Sequence, residues 1–184
     1  IDAAVGSIIN RWGRIDVLVN AVGAKLDATV AQTDLSDALE LLKTNYLGPM
    51  GCCRAVLPTM RHQHSGHIIN VSSVLGKRAT PGRGAYAASK AALNALTDAL
   101  RVETVSWGIT ITLVSPGRLW EETELTPPRF AMSLEEAASR IVRCTQRPRR
   151  ELVLTHAARG LVWLNTWAPG LVDRILRRVR DGGS

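Results

Sequence analysis

Apolar residues along this chain recur in two alternating rhythms, one helical and one strand-like, and the alternation predicts the architecture. Residues 3–12 place Val5, Ile8, Ile9 and Trp12 at helical spacing, with Gly13 closing the element. Residues 15–19 form a short strand-like run ending at Asn20, and a loop through Gly23 leaves it. Helical periodicity returns over 35–61 in two parts, with Asn45 near the break and Pro58 bending or ending the second. A strand over 68–71, a Gly/Pro-rich loop over 76–84, a helix over 85–106 that stops before Gly108, and a strand over 109–114 follow. Residues 118–131 read as a mobile loop, Ser133-Leu-Glu-Glu136 as a capping box opening another helix, and 152–154 as the last strand. Helices alternating with strands that are apolar on both faces predict an α/β fold, a doubly wound parallel sheet with helices on both sides.

Composition keeps this picture and narrows it. At 184 residues, 46% hydrophobic and 21% charged, the chain reads as one soluble globular domain. Cys52, Cys53 and Cys144 offer neither a disulfide framework nor metal-ligand spacing, which points to a reducing, cytoplasmic setting. His62, His64 and His67 fall in a polar turn and are read as exposed loop residues, not metal ligands. The net charge of +7 is uneven: from Arg140 onward there are ten arginines and three acidic residues, whereas residues 1–139 carry thirteen charges of each sign. No base-reading or stacking motif accompanies this excess, so nucleic-acid binding is not expected. His156, Arg159 and Asn165 interrupt the longest apolar run, so no membrane span is expected. The chain starts with Ile rather than Met, which leaves a targeting signal ahead of Ile1 open.

The candidate chemistry centres on Tyr86-Ala-Ala-Ser-Lys90, whose Tyr and Lys project from one face of a helix. An ammonium near a phenol favours the phenolate and makes the tyrosine a usable general acid or base. Upstream, Ile68-Ile69-Asn70-Val71-Ser72-Ser73 carries a hydroxyl pair at a strand's carboxyl end, where open α/β sheets bind ligands. Asn45 lies farther upstream, and a later strand runs into Pro116-Gly117.

The ordered set Asn45, Ser73, Tyr86 and Lys90, with Asn20-Ala-Val-Gly23 before it and Pro116-Gly117 after it, resembles the short-chain dehydrogenases/reductases. The resemblance implies a Rossmann-type sheet and hydride transfer between NAD or NADP and a small-molecule carbonyl or secondary alcohol. Tyr86 would move the proton, Ser73 would hold the substrate oxygen, and Lys90 would lower the Tyr86 pKa and bind the nicotinamide ribose. Asn45 would support a water that relays protons to Lys90. Asn20, Gly23, Pro116 and Gly117, with Tyr86 and Lys90, would contact the cofactor. Ala21 and Val22 depart from the family's Asn-Asn-Ala-Gly, and Glu121 stands where a carboxamide-binding Thr is usual, with Thr123 two residues later. No Gly-rich phosphate-binding turn is present, so the first three strands and two helices of such a domain are expected to be absent. Residues 1–184 then form a single partial domain in which 155–184 are a C-terminal amphipathic basic extension. In that extension Leu171, Val172, Ile175, Leu176 and Val179 form an apolar stripe opposite Arg174, Arg177, Arg178 and Arg180. The stripe suits docking, homo-oligomer contact, or peripheral contact with a membrane through 169–184. The alternative to an oxidoreductase is a catalytically incompetent interaction module or peripheral membrane protein, and the sequence upstream of Ile1 discriminates these readings.

Overall fold

The computed structural model describes residues 1–120 and 130–181. Its elements in chain order are α1 (Asp2–Trp12), β1 (Val17–Asn20), α2 (Leu35–Leu42), α3 (Gly48–Gln63), β2 (Gly66–Val71), α4 (Gly84–Glu103) and β3 (Ile109–Ser115). β4 (Leu119–Trp120), β5 (Met132–Ser133), α5 (Leu134–Gln146), β6 (Glu151–Val153), α6 (His156–Trp167) and α7 (Pro169–Asp181) complete it. β1, β2, β3 and β6 pair in that order, all parallel, with Ile68 opposite Ile111 and Ile69 opposite Thr112.

Neighbouring strand residues point to opposite faces, so each sheet face needs its own cover. On one side Ile68 and Ile111 pack with Cys53, Val56 and Met60 of α3 and Leu100 of α4. On the other, Ile69 and Val114 pack with Ala137 and Cys144 of α5 and with Leu154. Covering both faces produces the Rossmann-type doubly wound arrangement that the apolar strands predict. β1 is an outer strand of the sheet, and its Val17 and Val19 are 40% and 43% exposed.

Several boundaries differ from those expected, each for a local reason. β1 begins at Val17 rather than residue 15 because the Gln63 amide bonds both backbone groups of Ile15, at 2.8 Å each. α3 continues through Pro58 to Gln63: the proline sits on the exposed side, where the carbonyl it leaves unpaired can be hydrated. The helix expected over 85–106 stops at Glu103 and passes into a 3-10 turn, Val105–Trp107. His67 is a buried residue of β2, not a loop residue, and its Nε2 lies 2.8 Å from Thr112 Oγ1. Only half of the capping box forms. Ser133 Oγ accepts from the Glu136 N–H, while the Glu136 carboxylate pairs with Arg140. Of the loop expected over 118–131, residues 121–129, with Glu121 and Thr123, lie outside the described residues, and its flanks pair as β4 and β5. The extension from residue 155 forms two helices, α6 and α7, with Val172 buried and Leu171 and Ile175 exposed. The side chains of Val179 and Arg180 are outside the described set.

Candidate active site

β2 ends at Val71 and delivers two adjacent serines with different fates. Ser72 Oγ turns back onto α4, donating to Asn94 Oδ1 at 2.5 Å and approaching the Lys90 carbonyl at 3.2 Å. Ser73 instead starts a 3-10 turn, Val74–Gly76, in which its Oγ accepts from the Leu75 N–H at 3.1 Å. That bond uses a lone pair and leaves the Ser73 O–H free to donate. One turn of α4 separates Tyr86 from Lys90, and both are buried, at 7% and 3% exposure. Lys90 Nζ donates to the Val71 carbonyl at 3.1 Å, which ties the ammonium to the end of β2.

Asn45 lies in a π-turn, Lys43–Leu47, that joins α2 to α3. A widened turn of this kind re-aims one side chain within an otherwise continuous helix. Here the Asn45 amide clamps the loop after β1: Oδ1 accepts from the Ala24 N–H at 2.8 Å, and Nδ2 donates to the Ala24 carbonyl at 2.9 Å and to Ser89 Oγ at 2.9 Å. The clamped loop carries Gly23 against the ammonium. A carbon added to Gly23 would lie 3.1 Å from Lys90 Nζ and 3.3 Å from Asn45 Oδ1, so the absent side chain is what keeps space open beside the charge. Asn20, expected at the cofactor, is placed elsewhere. Its amide is spent inside the sheet, donating to Asn70 Oδ1 at 2.8 Å, while Asn70 donates onward to Thr97.

Ser73, Tyr86, Lys90, Gly23, Pro116 and Gly117 line one open cavity of about 620 Å³. Asn45 lies beneath this cavity rather than in its wall, and Asn20 is also outside the wall. Gly117 is required by its neighbour: a side-chain carbon there would collide with Thr155, which starts α6. Burial pushes the Tyr86 phenol above its ordinary pKa, while the Ser73 hydroxyl and the positive charge of Arg83 pull it back down. Arg83, at the start of α4, is thus a positive charge that favours the phenolate, while the Lys90 nitrogen is held at the Val71 carbonyl. Burial, reinforced by the charge of Lys25, lowers Lys90 to about 8.

Arg83, Lys25 and Ser89 are the contributors that spacing arguments missed. Arg83 also pairs with Asp27. Its position three residues before Tyr86, near one helical turn away, was the available signal. Nothing local marked Lys25, because its loop is brought to the site by partners distant in sequence: Asn45 at Ala24, Arg83 at Asp27, and the Gly82 carbonyl at the Ala28 N–H, at 2.9 Å.

The short chain dehydrogenase family model matches residues 1–133. Dehydrogenase/reductase SDR family member 7B of Danio rerio is 43% identical over 115 residues, which cover 62% of this chain and 37% of that protein. The Xenopus laevis protein of the same name is 32% identical over 191 positions, covering 96% of this chain and 59% of its own length. The chain thus spans well under two thirds of these relatives. Among solved structures, a short-chain dehydrogenase from Streptomyces avermitilis superposes with a TM-score of 0.77 at 27% identity, covering 100% of this chain and 76% of its own. Another, from Burkholderia cenocepacia and solved with NADP, reaches 0.83 at 23% identity, over 96% of this chain and 74% of its own, a likeness of fold. With the serine, tyrosine and lysine of the motif gathered on one cavity and the match running over residues 1–133, this chain belongs to the short-chain dehydrogenase family.

Proposed function

We propose that the chain carries the proton-transfer site of an NAD(P)-dependent oxidoreductase that interconverts a carbonyl and a secondary alcohol. The supporting observation is the convergence of Ser73, Tyr86 and Lys90 on one cavity, with the phenol under the influence of the Ser73 hydroxyl. The residues fit a nicotinamide dinucleotide: the side-chain-free wall at Gly23 leaves room next to an ammonium that, among the described residues, has one acceptor, Val71 O, for its three donors. Gly23, Lys90 and the Pro116-Gly117 turn would hold it, Lys90 through ribose hydroxyls. When bound, it supplies or accepts the hydride.

In the reducing direction Tyr86 gives its proton to the carbonyl oxygen, and in the oxidising direction it takes one from the alcohol. Ser73 donates its free O–H to the same oxygen, holding it against the phenol and stabilising the charge that develops there. Lys90, at about 8, remains protonated at neutral pH, and its charge compensates the phenolate left behind. Asn45 acts through the loop it clamps, keeping Gly23 and Lys25 in place.

Tyr86→Phe in the complete protein is expected to lower carbonyl turnover by about two to four orders of magnitude, with dinucleotide affinity, followed by fluorescence titration, changed only a few-fold. Retained turnover would remove Tyr86 as the proton donor. A complete wild-type protein that binds no dinucleotide would favour the interaction-module reading.

A further inference from the structure

Four large apolar side chains stand in solvent along α6 and α7 at an unbroken four-residue interval. Trp163, Trp167, Leu171 and Ile175 are 65%, 74%, 47% and 44% exposed. Within each helix this interval puts a pair on one face. The two helices join through Ala168, whose N–H bonds the Leu164 carbonyl at 2.8 Å and whose carbonyl accepts from Leu171 and Val172 at 3.0 and 3.3 Å. The hairpin is held to the body by other residues: Ala158 and Val172 are buried, and Asp173 pairs with Arg78. Its exposed apolar pairs are therefore not used up by its own docking.

Around those pairs stand Arg159, Arg174, Arg177 and Arg178, all exposed and, among the described residues, without an ion-pair partner. α6 has no acidic residue, and of the two in α7, Asp173 and the terminal Asp181, the first is already committed to Arg78. Exposed tryptophans and aliphatics beside uncompensated arginines match the composition of helices that lie in a membrane interface, where indole rings settle at headgroup depth and guanidinium groups bind lipid phosphates. Among the described residues no helix is long and apolar enough to cross a membrane, so contact through these helices would be on the surface.

The geometry points to an α6–α7 hairpin that docks on an anionic bilayer surface, with Trp163 and Trp167 inserted among headgroups and Arg174, Arg177 and Arg178 on their phosphates. Each basic residue near such a surface strengthens partitioning roughly fivefold. The interaction is expected to weaken steeply with salt.

The test is co-sedimentation of the chain with vesicles of phosphatidylcholine alone and with vesicles of equal parts phosphatidylserine and phosphatidylcholine, with tryptophan emission read in parallel. The expected result is binding to the mixed vesicles only, a blue-shifted emission, and release by high salt. Trp163→Ala/Trp167→Ala is expected to abolish the shift. Arg174→Gln/Arg177→Gln/Arg178→Gln is expected to weaken binding on the order of a hundredfold. All five positions are exposed, and circular dichroism checks that the variants fold; the lipid and salt comparisons on the unaltered chain stand without them. No sedimentation, equal binding to both vesicle types, or self-association that the tryptophan variant disrupts in the absence of vesicle binding would each overturn the proposal.

Discussion

Lys90 brings its charge into a site where it is 3% exposed and faces a second cation, Lys25, and both circumstances favour the neutral amine. Its folded-state value of about 8 lies below the 10.5 of the free side chain. Between these values the unfolded chain binds more protons, so stability rises with pH, by about 3 kcal/mol over the whole interval. Cys53 works in the opposite sense above 9.0, because burial raises its thiol to about 11 and the folded state then keeps a proton that the unfolded chain loses. The interval from pH 8 to 9 is therefore where Lys90 dominates. Urea denaturation is expected to show a gain of about 1 kcal/mol across that interval, and Lys90→Met to remove it. An unchanged gain in the variant would assign the titration to another group. At neutral pH the balance leaves the ammonium charged, which is the state that the proposed proton transfer from Tyr86 needs.

At the scale of elements, the site depends on how helices begin and bend. α6 begins at Thr155, whose hydroxyl accepts from the Ala158 N–H at 3.3 Å while its side chain fills the space that Gly117 leaves open. Thr155→Val keeps the volume and removes the cap, so it is expected to cost about 1 kcal/mol in urea denaturation. Thr155→Ser is expected to restore most of it, and a neutral Val variant would show that only shape matters here. Elements of this kind were unevenly legible in the sequence. β2, α4 and β3 were readable because their apolar periodicity agrees with their packing, and with them came Ser73, Tyr86 and Lys90. The π-turn around Asn45 was visible only as a break, since its winding is set by the contacts of the Asn45 amide with Ala24 and Ser89, distant in sequence. Pro58 left bending and ending both open, because propensity carries no record of which side faces water. His67 misled for a related reason, and the place of Asn20 was not legible for the same one: each has a polar partner across the sheet, Thr112 or Asn70, and a buried pairing leaves no local trace.

At the scale of the molecule, charge and apolar surface are segregated. The cavity lined by Ser73, Tyr86 and Lys90 lies at the carboxyl ends of β2 and β3, and the positive excess lies beyond Arg140, largely on surface helices. The two rims of the sheet are also unequal. β6 is three residues long and carries Glu151, which pairs with Lys77 at 2.9 Å, a short and charged margin of the sort that discourages further pairing. Among the described residues β1 has no such protection: Val17, Leu18, Val19 and Asn20 carry no charge, and the two valines are substantially exposed. Unpaired backbone groups beside exposed valines are a template on which another copy can add a strand. The isolated polypeptide is accordingly expected to grow turbid on concentration or gentle warming. Val19→Lys is expected to delay that onset severalfold without shifting the melting midpoint, as light scattering and circular dichroism would record. How well this polypeptide keeps in a tube would then be governed by one short run of backbone on the rim of β1, remote in kind from the chemistry proposed for Tyr86.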